Sequence, residues 1–135
     1  MKTWNVGDLI LKSPIMIAGG VCKTPQSIIP YLHHDLPLGL VETGSYTPDF
    51  SPGNPDAPQE YWIDTLQSGV NSWGMPNVGY KAALAAFDAM GLPNASIAVN
   101  IAAFSPEGFA EGYKLFASRP YVAAVVGNLS CPNRH

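Results

Sequence analysis

Charge is what this sequence has least of. Only 13% of its 135 residues are Asp, Glu, Lys or Arg, and there is no basic run. A net charge of -3 and a pI near 5.4 exclude the electropositive footprint of a nucleic-acid binder. Cysteine is scarce as well. Cys22 and Cys131 lie far apart, without ligand partners at metal-site spacing, so a zinc cluster is excluded. Two cysteines make no disulfide framework and fit a reducing, cytoplasmic compartment. No apolar stretch approaches the about 20 residues of a membrane span. The opening Met1-Lys2-Thr3-Trp4-Asn5 lacks the apolar region of a secretion signal, so neither membrane nor export is expected. Repeats and low-complexity segments are absent too.

What the chain does have is apolar residues (47%), 13 glycines and 13 prolines, the latter two gathered at joints between elements. The composition predicts one globular domain with a buried core. Trp4–Ser13 reads as a short hairpin around Asn5-Val6-Gly7-Asp8. Pro14–Ile17 reads as a strand closed by Ala18-Gly19-Gly20. Thr24-Pro25 is an N-cap and N1 pair opening a short helix that Pro30 limits or kinks. Leu38–Val41 is the next strand. Thr43–Asn77 is expected to be a long irregular stretch, ordered by Tyr46, Phe50, Tyr61, Trp62 and Trp73, and of the kind that is usually functional. Val78–Met90 is a helix ended by Gly91 and Pro93, and Ser96–Ala103 is a strand. Ser105-Pro106-Glu107 caps a helix reaching about Ser118, with Phe109, Tyr113 and Phe116 as a core-facing stripe. Tyr121–Val126 is an uninterrupted apolar run, the habit of a strand buried on both faces of a parallel sheet. Strands alternating with helices predict a parallel α/β sheet. About four strands and three helices after a hairpin make roughly half of an eight-fold barrel, which needs about 250 residues.

Chemistry concentrates in Asn128-Leu129-Ser130-Cys131-Pro132-Asn133, directly after that last strand. Two carboxamides bracket a thiol, and Pro132 stiffens the turn that aims it. The end of a parallel strand is where α/β enzymes place their reactive groups. A lone cysteine there is more often a small buried residue; six residues of these types at this spacing favour a site. Gly53-Asn54-Pro55 and Val70-Asn71-Ser72-Trp73-Gly74-Met75-Pro76-Asn77 read either as a surface turn or as a polar cradle. Ala18-Gly19-Gly20 lets a flat ligand approach the backbone, or is simply a tight turn. Asn100, at the end of an apolar strand, either contacts a ligand or ties two loops together. Ser72 and Ser130 can be plain turn residues, and His33-His34-Asp35 reads as a solvated face.

In these blocks, and in their order, the chain resembles the dihydroorotate dehydrogenases, and Cys131 resembles the class 1 (soluble) branch, whose base is Cys; the membrane-associated class 2 branch has Ser there. The resemblance implies the N-terminal half of a TIM (β/α)8 barrel over residues 1–135, binding flavin mononucleotide (FMN). It implies oxidation of dihydroorotate to orotate in pyrimidine biosynthesis, with Cys131 as the catalytic base. Contacts to flavin would come from Ala18, Gly19, Gly20, Gly44, Ser45, Asn100 and Asn128. The substrate would be held by Asn71, Ser72, Trp73, Gly74 and Met75, with Asn128 and Asn133. One departure stands out: the family carries a Lys where this chain has Gly44, and Lys23 is the nearest candidate to supply a cation. Half a barrel leaves an unpaired sheet edge, so the chain is expected to be a truncated reading frame, a fragment of a longer protein, or a half completed as a homodimer or by association with another chain. Two further readings fit the same residues: a non-catalytic remnant serving assembly, and a flavin domain for another pyrimidine, as in dihydropyrimidine dehydrogenases.

Overall fold

Two antiparallel strands, β1 (Trp4–Val6) and β2 (Leu9–Leu11), open the chain in the computed structural model, which describes residues 3–33, 36–55 and 59–131. They turn at Gly7, whose φ of 58° suits a residue without a Cβ. β3 (Met16–Ile17) follows, then a 3-10 turn over Pro25–Ile28 that runs into α1 (Ile29–His33). Pro25 takes the first helical position, and Ser27 Oγ accepts from the Thr24 N–H while donating to the Thr24 carbonyl. Pro30 does not end the helix, because it stands in the first turn of α1, where its missing N–H costs nothing. Of the expected His33-His34-Asp35 face, His34 and Asp35 lie outside the described residues. β4 (Leu40–Glu42) comes next.

The stretch Thr43–Asn77 is not irregular throughout. It contains a second hairpin, β5 (Glu60–Ile63) paired with β6 (Ser68–Asn71) through Tyr61↔Val70 and Trp62↔Gly69. Nearly all of its residues are exposed, so no apolar-polar alternation marks it in the sequence. Its left-handed turn position is Gln67 (φ 46°) rather than a glycine. Ser51 and Asn77 exchange backbone hydrogen bonds of 2.9 and 2.8 Å, and the Asn54 N–H donates to the Trp73 carbonyl at 3.0 Å. The buried Asn77 carboxamide donates to Thr47 Oγ1 and the Met75 carbonyl, both at 2.9 Å. It accepts from the Thr47 N–H at 3.1 Å and the Gly79 N–H at 2.9 Å. With all four of its positions used, this side chain closes the loop onto the body.

The remaining elements are α2 (Tyr80–Ala89), β7 (Ile97–Ile101), α3 (Pro106–Phe116) and β8 (Val122–Gly127). The α3 cap is as expected: Ser105 Oγ accepts from the Gly108 N–H at 3.1 Å, with Pro106 at the first position. The four strands β3, β4, β7 and β8 form one parallel sheet in that order. β7 is buried along its length, whereas β8 is only half-buried. The expected two-sided burial of Tyr121–Val126 fails because β8 ends the described sheet and pairs only with β7.

Ile97, Val99 and Ile101 alternate along β7 into a cluster with Tyr46, Tyr80, Phe87 and Phe116. Tyr46 meets Phe87 edge-on at 5.8 Å, and Tyr80 meets Phe116 edge-on at 5.9 Å. The α3 stripe is corrected in one position, since Phe116 is fully buried but Tyr113 is 60% exposed. Gly112 takes the inward place instead. A Cβ there would lie 2.8 Å from the Tyr80 ring, so the helix presses its bare backbone onto that ring. By strand alternation Ala98 and Asn100 face the other side of the sheet.

Candidate active site

At the C-terminal ends of these strands lies a cavity of about 380 Å³. The end of β3 supplies Gly19, Gly20 and Lys23; the end of β4 supplies Glu42, Gly44 and Ser45. Asn100 of β7 and Asn128 and Cys131 beyond β8 complete this wall. Facing them are Glu60 of the β5–β6 hairpin and Asn71, Trp73, Gly74, Met75 and Pro76.

A hydrogen-bond chain crosses the strand ends. Asn128 Nδ2 donates to Ser45 Oγ at 2.9 Å, and the Ser45 hydroxyl donates to Asn100 Oδ1 at 2.8 Å. Asn100 Nδ2 then donates to Glu42 Oε1 at 2.7 Å. Three strands are thereby tied side chain to side chain, with the carboxylate as terminal acceptor. The buried Asn100 side chain ties β7 to the end of β4 and the segment just after it, and the residue also lines the cavity. Asn128 Oδ1 accepts from the Ser130 N–H at 3.3 Å, which folds the turn that carries Cys131.

The opposite wall is held by charge and an aromatic face. Glu60 Oε1 accepts from the Trp73 indole N–H at 2.9 Å and lies 3.5 Å from Lys23 Nζ. That ammonium also sits 3.5 Å from the centroid of the Trp73 ring, a cation–π placement. Gly74 (φ 67°) and Met75 (φ 54°) turn the chain sharply beside it. At Gly74 a Cβ would collide with the Asn54 carboxamide, so glycine is required. Met75 has a Cβ in that left-handed region, a conformation that clusters at functional sites.

Most of the expected residues are thus brought together. Gly19, Gly20, Gly44, Ser45, Asn71, Trp73, Gly74, Met75, Asn100, Asn128 and Cys131 all line one cavity. Ala18 is at the strand end but outside the wall. Ser72 is spent on structure: its N–H donates to the Gln59 carbonyl, and its carbonyl and hydroxyl both accept from Asn54 Nδ2. Pro132 and Asn133 lie outside the described residues. Glu42 and Glu60 are wall residues that the sequence did not single out, and Pro76 of the cradle segment joins them. An acid ending a parallel strand is a readable signal for Glu42. Glu60 carried none, because its hairpin was not foreseen. The two cysteines differ: Cys131 is partly exposed in the cavity, while Cys22 is buried, with burial pushing its thiol pKa up.

A parallel sheet with helical crossovers and a cavity at its carboxyl ends defines an α/β protein whose site lies at the strand ends. A family model for dihydroorotate dehydrogenase matches residues 1–135, and the chain belongs to that family. Among solved structures, the ligand-free dihydroorotate dehydrogenase from Eimeria tenella superposes with a TM-score of 0.80 at 21% identity. That match covers 98% of this chain and 39% of the other. The complex of the Eimeria tenella enzyme with ferulenol gives a TM-score of 0.76, again at 21% identity, covering 98% of this chain and 37% of the other. No curated protein matches the chain. The chain therefore spans under two fifths of the length of these TIM-barrel relatives.

Proposed function

We propose that this cavity oxidises dihydroorotate to orotate in pyrimidine biosynthesis, as a cytoplasmic class 1 site with flavin mononucleotide as cofactor. The observation that carries the reading is the convergence of Cys131, Asn128 and Asn71 on one cavity backed by glycines. The flavin ring fits what is present. Gly20 has open space where a side chain would be, so a flat ring can lie against bare backbone there. Gly19 cannot carry a Cβ, which would strike the Thr43 carbonyl, so glycine there lets the ends of β3 and β4 pack closely beneath that ring. Ser45, Asn100 and Asn128 supply the polar edge beside it.

Held beside Gly20, Ser45, Asn100 and Asn128, a bound flavin would supply the hydride acceptor. Cys131 Sγ takes the proton from the adjacent ring carbon, and a thiolate serves as such a base when neighbouring dipoles favour it. Asn128 is held in one orientation by Ser45 and the Ser130 N–H, and Asn71 stands across the cavity; the two amides fix the pyrimidine ring beside the thiol. Among the described residues no helix is long and apolar enough to cross a membrane.

A second reading rests on the two carboxylates in the wall, Glu42 and Glu60. They disfavour an anionic substrate and suit a neutral dihydropyrimidine. Anaerobic bleaching of flavin mononucleotide, supplied in excess, separates the readings. Bleaching by dihydroorotate, lost in Cys131→Ala, supports the first. Bleaching by dihydrouracil alone supports the second, and bleaching by neither leaves a non-catalytic member of the family.

A further inference from the structure

We propose that Glu42 is a positioning residue that sets the direction of the strand-end relay. Asn100 and Asn128 then both keep donors for the ligand, and the wall selects a ring edge made of acceptors. The proposal deepens the pyrimidine reading and rests on it. A carboxamide turned end for end keeps its shape but exchanges a donor for an acceptor, so packing alone leaves two directions open. The backbones on either side are already fixed. The Asn100 N–H donates to Thr43 Oγ1 at 3.1 Å, and its carbonyl accepts from the Tyr46 N–H at 3.0 Å. The Asn128 N–H donates to the Ile101 carbonyl at 2.8 Å. What is left to decide is which end of each amide meets which neighbour.

Glu42 decides it, because a carboxylate only accepts. With Asn100 Nδ2 on Glu42 Oε1 at 2.7 Å, Asn100 Oδ1 is the end that takes the Ser45 hydroxyl. The Ser45 oxygen is then left to accept from Asn128 Nδ2. At the far end the Ser130 N–H reaches Asn128 Oδ1 only at 3.3 Å, and the short, charge-assisted bond to Glu42 outweighs it. The result is a wall with donors to spare. One hydrogen of Asn100 Nδ2 goes to Glu42, and the other has no acceptor among the described residues. One hydrogen of Asn128 Nδ2 goes to Ser45, and the other meets Met75 Sδ at 3.9 Å, a weak acceptor that a carbonyl oxygen displaces. All three residues line the cavity. Carbonyl oxygens and unprotonated ring nitrogens satisfy such groups, whereas an amino group in their place sets donor against donor.

The test reads the relay in the ligand-free whole chain by NMR, and then its choice of ring. Glu42→Met should move the side-chain NH2 signals of Asn128, a residue that Glu42 does not touch. Glu42→Gln, whose carbonyl still accepts, should leave them near their wild-type positions. In a Ser45→Ala background, which cuts the relay, Glu42→Met should no longer reach Asn128. Titration then compares uracil with the diaminopyrimidine in which both carbonyls are replaced by amino groups, above the pH at which the latter ionises. Wild type should bind uracil several-fold tighter. Glu42→Met should bring the two affinities together, Ser45→Ala should narrow the gap as well, and Glu42→Gln should restore most of it. Asn128 signals indifferent to Glu42→Met overturn the proposal. So does equal binding of the two rings by wild type, a result that the pyrimidine reading survives. If wild type binds neither ring, that reading fails and the selection argued from Glu42 fails with it.

Discussion

One wall of the cavity hangs from the parallel sheet, the other from the β5–β6 hairpin, and different forces hold them. The sheet wall is tied by a continuous relay from Asn128 through Ser45 and Asn100 to Glu42, with Asn100 buried at its centre. The hairpin wall is tied by an exposed ion pair, one indole N–H and a cation over a ring. Buried, fully partnered polar groups fix one geometry because each loss strands its neighbours. Exposed charges exchange partners cheaply. The difference suggests a division of labour in which the strand ends position a ring and the hairpin adapts to what the ring carries.

The comparison can be broken first on the sheet side. Asn100→Leu removes the middle of the relay, leaving the Ser45 hydroxyl without its acceptor and Glu42 without its donor. A loss of about 2–3 kcal/mol in urea denaturation is expected. A loss below about 0.5 kcal/mol would show that the relay does not stiffen the wall. Gly44→Ala tests the close seating of two strand ends, because its Cβ would lie 3.0 Å from the Cys22 carbonyl oxygen. Overpacking there should cost about 1–2 kcal/mol.

A pH experiment at the opposite end of the sheet supplies a control. Asp88 accepts from the Tyr121 hydroxyl at 2.7 Å and pairs with Arg119 through two bonds of 3.1 Å. The Tyr121 bond first, then Arg119, holds the Asp88 carboxyl below its ordinary 3.8. Because the folded value is depressed, the stabilisation is present above that ordinary value and is lost as pH falls through the folded one. Asp88→Asn should lower the melting temperature modestly at pH 7 and flatten its fall at acid pH, while leaving ligand binding in the cavity unchanged. The smallest effect should belong to the hairpin, with Glu60→Gln altering global stability by no more than about 0.5 kcal/mol.

The same contrast explains what could be read from the sequence. The strand ends announce themselves because a parallel sheet is built from apolar runs closed by Gly, Asn and capping residues. Hence the hairpin lead-in, the four strands, the α3 cap and the gathering of Gly19, Asn100, Asn128 and Cys131 were all legible. The hairpin Glu60–Asn71 was not, since strands exposed on both faces have no burial pattern to leave in a sequence. Its Gln67 turn lacks the glycine signal. Lys23 was legible only as the nearest cation, because its partner Glu60 lay on the unforeseen element. The misjudged burial of Tyr121–Val126 has another cause. Apolar composition reports what a strand is suited to, and β8 has a neighbour on one side only within the described sheet.

Alkylation of the two cysteines tests most directly whether a ligand sits against the strand-end wall. At mildly alkaline pH, Cys22 should resist iodoacetamide, being buried with its thiol pKa raised by that burial, while Cys131 in the cavity should react. Orotate with flavin mononucleotide should then slow labelling of Cys131 several-fold and leave Cys22 untouched. Labelling of Cys131 at one rate with and without these ligands would contradict the account.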